Sequence, residues 1–378
     1  MATGTENLTD VALIGAGPIG LEMAVALQDA GIDYQQFEAQ QIGDTIAWFP
    51  RQARFFSSPE RIAICGVPLM TIDQSKATRE DYLAYLRGIV QQFRLKVNTY
   101  ERVTSVSAAV PGASLGAAKG TRYCIRTERS DGEHEYLARH VIFAQGGMHA
   151  PRALSHPGLD RVPGADLPHV SHYFDEPHPY GDQQLLIVGG RNSAVEAAIR
   201  CHRAGAHVTI CHRQPQLSDS IKYWLKPEMD WLMQSGAIRQ LGGCVPVRIT
   251  RTQVDLAPVD SSGRPDLNPG TWQRVPADFI LLLIGYEMDT KLLSELGVEL
   301  QGPSQAPRVD PRTMETNLPG VYVAGTAAGG TQLSFKLFIE NSHAHVVRIL
   351  RHLAGCDPKH INSLAYERLH EQSLPSES

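Results

Sequence analysis

Gly15, Ala16, Gly17, Pro18, Ile19 and Gly20 form a G-x-G-x-x-G turn directly after the apolar run Val11 to Ile14. Such a turn brings backbone N–H groups against a pyrophosphate. The first glycine allows the bend, the second admits the phosphates, and the third lets helix and strand pack closely. Leu21 to Ala30 has helical apolar spacing and stops at Gly31, so a helix N-terminus points free N–H groups and a positive dipole end at the phosphates. The next strand ends on Glu38, with Ala39 behind it. A carboxylate there accepts hydrogen bonds from ribose hydroxyls and repels a 2′-phosphate. Strand, turn, helix, strand and acid at these offsets predict a dinucleotide site.

The pattern recurs further along. Gln184 to Val188 reads as a strand, followed by the turn Gly189, Gly190, Arg191, Asn192, Ser193 and Ala194. Val195 to Ala204 reads as a helix stopped by Gly205, and Ala206 to Cys211 as the next strand. Where the first unit has Glu38, this one has His212 and Arg213. A cation at that place accommodates a 2′-phosphate, which predicts NADPH, with Lys222 as a further phosphate candidate. Arg191 occupies a turn position that is usually glycine, and suggests a phosphate contact made by the loop itself. Two like sites with opposite charge imply a resident flavin in one and a diffusing nicotinamide cofactor in the other. Hydride transfer between them then replaces a bimolecular encounter.

Other segments fit around these two. Val141 to Gly147 is an apolar strand running into glycines, similar to the crossover of two-dinucleotide flavoproteins, with Gln145 where Thr is common. Ala144, Gly146 and Val103 join the expected FAD contacts. Phe279 to Gly285 reads as the return strand, with Gly285 beside the nicotinamide cofactor. Thr316 to Thr326 resembles the second FAD motif, which usually ends Gly-Asp; here Gly325 and Thr326 stand there, and a hydroxyl replaces the carboxylate. Leu333 to Leu353 has helical spacing, and its start is expected to aim N–H groups at the flavin. Strand–helix alternation predicts an α/β fold of two doubly wound Rossmann-like domains. The expected order is residues 1–175 for the first part of the FAD domain, 176–289 for an inserted NADPH domain, and 290–378 for the second FAD part. His172 to Gln184 and the turn near Met288 are the expected hinges, and Asp255 to Gln273 reads as a surface loop.

Composition narrows the class. A length of 378 residues favours two domains over one core, and a formal charge of −5 argues against a general nucleic-acid binder. Met1 to Asp10 lacks the basic start and apolar core of a signal peptide, and runs such as Phe279 to Ile284 are too short to span a bilayer, so the expectation is a cytoplasmic protein without membrane contact. None of the six cysteines forms a C-x-x-C pair, which leaves no zinc ribbon or local dithiol in the sequence. No metal site is expected: His169 and His172 lack a third ligand nearby, and no H-E-x-x-H occurs. Gly112 to Gly116 matches G-x-S-x-G but lacks strand-to-helix context and reads as a loop. Trp48, Phe55 and Phe56 are candidates for stacking on a flavin or for core packing before a helical stretch Tyr82 to Leu95.

Taken together, Ala12 to Gly20, Phe55 to Glu60, Leu167 to Tyr173, Val188 to Ala198 and Ser220 to Glu228 make the whole chain resemble the thioredoxin-reductase-like flavoproteins, nearest to the bacillithiol disulfide reductase family. The resemblance implies FAD, NADPH, a cytosolic homo-oligomer and a small-molecule electron acceptor, a disulfide above all. Members often carry a cysteine at the place of Ile19, and an aliphatic side chain cannot form a mixed disulfide. Cys65, downstream of a segment the family places near the flavin, is then the one weak catalytic candidate, against its reading as a buried structural thiol. Two other functions compete. A flavin monooxygenase is suggested by Val162 to Tyr173, although the Gly164–His169 spacing is one residue too long for that group's signature. The other is a flavin module that senses redox state or passes electrons to a protein carrier.

Overall fold

The computed structural model describes residues 8–109, 122–332 and 336–370. Gly112 to Gly116, most of the polar start and Leu333 therefore lie outside the described residues. Along the chain come β1 (Leu8–Ile14), α1 (Pro18–Asp29), β2 (Tyr34–Glu38), α2 (Arg79–Phe93), β3 (Val97–Thr99), β4 (Arg102–Ala108), β5 (Tyr123–Arg129) and β6 (Gly132–Phe143). Next are β7 (Val170–Ser171), β8 (Gln184–Val188), α3 (Asn192–Arg203), β9 (His207–His212), α4 (Lys226–Gln234), β10 (Arg239–Gly242), β11 (Cys244–Ile249), β12 (Gln253–Pro258), β13 (Gln273–Pro276) and β14 (Phe279–Leu282). β15 (Val321–Val323) and α5 (Ile339–Ala354) follow.

The chain divides into two compact units. One holds Met1–Ala47, Gln52–Ala150 and Tyr286–Ser378; the other holds Trp48–Arg51 and Pro151–Gly285. The second unit thus begins ahead of residue 176 and contains the stretch His172 to Gln184 that was expected to be a hinge.

The first unit is built on a seven-stranded sheet of order β3-β2-β1-β6-β5-β4, with β15 also on β6. β1, β2, β3, β6 and β15 pair in parallel, as a doubly wound fold requires. β4, β5 and β6 form an antiparallel meander, which makes the sheet mixed. α1 is apolar on nearly every face and is buried from Ile19 to Leu27, against β1 and α5. α2 starts at a capping box: Thr78 Oγ1 accepts the Asp81 N–H at 3.1 Å and Asp81 accepts the Thr78 N–H at 2.9 Å.

The second unit is a five-stranded parallel sheet of order β10-β9-β8-β14-β7 with an antiparallel meander β11-β12-β13. The strands alternate between two buried faces, the pattern of a sheet covered on both sides. Leu185, Ile187, Val208, Ile210 and Leu281 pack on α3 and α4. Leu186, Val188, Cys211, Ile280 and Leu282 pack on Ile249, Val254, Leu256 and Val275 of the meander. The reading of Asp255 to Gln273 as a surface loop is corrected at its start. Asp255 lies inside β12, 1% exposed, held by Arg248 at 2.6 Å and Arg274 at 3.5 Å. A buried carboxylate with two guanidinium partners is a strand residue whatever its turn propensity. Among the described residues no helix is long and apolar enough to cross a membrane.

Candidate functional site

The two glycine turns share corresponding backbone hydrogen bonds. The Gly15 N–H donates to Phe37 O at 2.8 Å, and the Gly189 N–H donates to Cys211 O at 2.9 Å. The Ala144 N–H donates to Ile14 O at 2.7 Å, and the Leu283 N–H donates to Val188 O at 2.8 Å. Gly15 has φ +107° and Gly189 φ +146°, and a Cβ on either would stand 2.5 Å from a carbonyl oxygen, of Ala144 and Leu283 respectively. Only glycine fits at both. The counterparts Gly17 and Arg191 cap α1 and α3 in extended conformations, at φ −76° and −117°. A side chain is therefore allowed there without strain, which is why Arg191 can replace a glycine. A Cβ on Gly17 would meet nothing within 4 Å, so the backbone at that point is open to a phosphate.

Ala16, Pro18, Ile19 and Gly20 continue the first turn into α1. Glu38 closes the first turn from the end of β2. Its carboxylate accepts the Ala16 N–H at 2.8 Å and the Gln40 N–H at 3.0 Å. Burial raises its pKa, against the lowering effect of those bonds. Ala39 follows it, and Val103 is buried on β4. Gln36, absent from the sequence reading, is fully buried and donates to Gly15 O at 2.9 Å. Ile19 is 6% exposed and faces Gly325, where an added Cβ would sit 3.3 Å from its own. Thr326 Oγ1 accepts the Gly147 N–H at 3.1 Å, and Gln145 donates to Asp289 O at 2.6 Å. The hydroxyl at Thr326 thus ties the Val141–Gly147 crossover, at Gly147, to the C-terminal motif.

Behind that motif lies a histidine that no motif or spacing singles out. His345 on α5 is buried and accepts the Gly325 N–H through Nδ1 at 3.1 Å. Burial, then Arg348 and His343, push its pKa down to about 3. The folded value lies below the ordinary histidine value of about 6.5. The stability it contributes is complete above pH 6.5 and is lost as pH falls toward 3. The unfolding midpoint is expected to drop progressively below pH 6.5, and His345→Asn to flatten that slope. An unchanged slope in circular-dichroism melts would remove His345 from the account.

In the second unit Gly190 backs onto His212, with an added Cβ only 3.2 Å from the histidine Cβ. Register makes His212 the counterpart of Glu38: Ile14 pairs with Phe37, and Val188 with Cys211. His212 is not a cation, however. It is 5% exposed, burial lowers its pKa, and its Nε2 meets Gln240 at 2.9 Å. Arg213, one residue on, is exposed. The structure also redirects Lys222: its Nζ lies 3.8 Å from Glu196 and 5.3 Å from the Trp224 ring centroid. The Lys222 backbone N–H donates to Asn192 Oδ1 at 2.7 Å, closing the following segment over the start of α3, where Ser193 is exposed and Ala194 buried. Gly285 ends the unit, accepting the Arg152 N–H at 3.0 Å.

Cys65 is 1% exposed, and burial followed by the nearby carboxylates of Glu22 and Asp29 holds its thiol far above the usual range. Such a thiol is inert. Trp48 packs on Tyr173 in the second unit; in the first unit Phe55 packs on Tyr82, and Phe56 is 54% exposed. His169 is bound to Thr250 O at 3.1 Å, and among the described residues no group of three ligands could hold a metal.

Residues 12–325 match the pyridine nucleotide-disulphide oxidoreductase family. The bacilliredoxin reductase of Bacillus subtilis is 34% identical, covering 90% of this chain and 96% of the relative. The solved bacillithiol disulfide reductase of Bacillus cereus superposes with a TM-score of 0.80 at 31% identity, covering 92% of this chain and 99% of that one. A ferredoxin–NADP reductase of Paracidovorax citrulli is 27% identical, covering 92% of this chain and 90% of the relative. The chain belongs to the pyridine nucleotide-disulphide oxidoreductase family, as an enzyme that uses FAD and NADPH.

Proposed function

We propose that this enzyme delivers the electrons of NADPH to the disulfide of a small thiol compound of the bacillithiol kind, working in the cytosol as a homo-oligomer. The balance is one disulfide, one NADPH and one proton giving two thiols and NADP+. FAD, when bound, accepts a hydride from NADPH and passes the electron pair on. The first unit is assigned to FAD: Gly15 to Gly20 cradle its pyrophosphate, Glu38 holds a ribose, and Gly325 and Thr326 approach it from the C-terminal motif. The second unit is assigned to NADPH: Gly189 to Ala194 cradle the pyrophosphate and Arg213 takes the 2′-phosphate. The observation that carries this is the pair of matching turns, one ending on Glu38 and the other followed by an exposed Arg213. Likeness to a bacillithiol disulfide reductase over nearly the whole chain supports the acceptor class.

One observation favours a second reading, in which the electrons go to a protein carrier. Ile19 cannot exchange thiols and Cys65 is sealed in the core, and a ferredoxin–NADP reductase is among the relatives. A single set of measurements separates the two. The purified protein is expected to be yellow with a flavin spectrum. It should consume NADPH with a low-molecular-weight disulfide and more slowly with quinones, oxygen or a ferredoxin. Cys65→Ser should retain the disulfide rate within about twofold, because a buried thiol of raised pKa supplies no nucleophile. A colourless protein that rejects added FAD defeats the flavin assignment. Turnover with ferredoxin but with no disulfide defeats the acceptor class.

A further inference from the structure

Cys211 and Cys244 belong to the second unit and have no place in the proposed hydride path. Cys211 lies next to the end of β9 on the buried face toward the meander, and Cys244 begins that meander, partly exposed. Their sulfurs are 3.6 Å apart, and the Cys211 thiol also reaches Cys244 O at 3.4 Å. A disulfide needs its sulfurs at about 2.05 Å, so the two sulfurs must close by roughly 1.5 Å to bond. Both backbones are wired to the nicotinamide turn and its phosphate loop. Cys211 O accepts the Gly189 N–H at 2.9 Å, and His212 and Arg213 follow Cys211 directly. Next to Cys244, the Gly243 N–H donates to Gln214 O at 3.0 Å, on the loop that carries Arg213.

We propose that Cys211 and Cys244 form a reversible disulfide on exposure to a peroxide, and that closing it weakens NADPH binding. The hydrogen bond from Cys211 lowers the pKa of Cys244, against the raising effect of burial, so Cys244 is the sulfur that attacks. The Cys244 thiolate takes one oxygen of hydrogen peroxide, giving a sulfenic acid and hydroxide. The Cys211 thiol then displaces the sulfenic oxygen as water and the S–S bond forms. In sum, two thiols and one peroxide give one disulfide and two waters. The crosslink draws the Cys211 backbone off the Gly189 N–H and shifts the loop bearing Arg213. The second half rests on the NADPH assignment; the first does not.

The full-length protein treated with hydrogen peroxide, alkylated under denaturing conditions and digested without reductant should yield one peptide pair linking Cys211 to Cys244, two hydrogens lighter than the separate thiols. Dithiothreitol should release it, and neither Cys244→Ser nor Cys244→Ala should give it. The linked protein should bind NADPH about fivefold more weakly, the worth of one backbone hydrogen bond, with affinity restored on reduction. Both thiols remaining alkylatable while the exposed Cys356 is oxidised overturns the disulfide. A fully formed link with unchanged NADPH affinity overturns the coupling. Reduced protein that fails to bind NADPH at all counts against the nicotinamide assignment and leaves the peptide map to judge the disulfide on its own.

Discussion

Arg213→Glu is expected to raise the KM for NADPH roughly a hundredfold while leaving NADH turnover close to that of the parent, so that the cofactor preference reverses. Charge-assisted hydrogen bonds from one guanidinium to a phosphate contribute about 1.5–3 kcal/mol, or one to two decades in affinity. A carboxylate in the same place adds repulsion against the 2′-phosphate and offers NADH a ribose acceptor, the role proposed for Glu38 in the first unit. The effect should fall almost wholly on Arg213 because its neighbours are occupied. His212 is buried and uncharged, and Lys222 is engaged with Glu196. His212→Ala is therefore expected to loosen Gly190 and its turn without changing the ratio of NADPH to NADH. Retention of NADPH selectivity by Arg213→Glu, measured by initial rates with both cofactors, would place the 2′-phosphate elsewhere.

The glycine turns are legible because everything they need is local. Strand, bend, helix and the next strand lie within one stretch of chain, and the bend demands glycine at Gly15 and Gly189. The charge that follows each second strand is legible for the same reason. What surrounds the turns is not. The neutrality of His212 comes from burial under Gly190 and from Gln240 on the adjacent strand, which a linear reading cannot place. Lys222 looked free to reach a phosphate, but Glu196 on α3 lies within its reach. Asp255 carries turn propensity, yet two arginines from the flanking strands hold it in a sheet. Gln36 did leave a signal, an amide in the strand that leads to Glu38, although nothing local says that it braces Gly15 O. In each case propensity and spacing describe the segment, while partners brought in by the fold decide the side chain's state.

Glu22 is the strongest instance, and Glu22→Leu should be the most destabilising single change in the first unit, at about 3–5 kcal/mol. It is a fully buried carboxylate in the helix that begins at the first glycine turn. Its Oε2 meets His343 Nδ1 at 2.6 Å across 321 residues of sequence, and its Oε1 accepts the N–H groups of Cys65 at 3.0 Å and Asn362 at 3.2 Å. One side chain thus joins α1, α5 and two loop segments. Removing it leaves a buried imidazole and two backbone donors without their acceptor, and that loss exceeds what the leucine gains by burial. Burial alone would lower the pKa of His343, but attraction and hydrogen bonding from Glu22 outweigh it and raise the value above 6.5. A raised folded pKa stabilises fully below about pH 6.5, and the benefit fades as pH climbs through the folded value. The gap between parent and Glu22→Gln, which keeps the acceptor for Cys65 and Asn362 but not the charge, should therefore be widest in mildly acidic buffer and narrow on the alkaline side. Urea unfolding at several pH values, followed by circular dichroism, measures both. A Glu22→Leu cost below about 1 kcal/mol, or a Glu22→Gln gap that grows with pH, would mean that the pair contributes packing geometry and not charge.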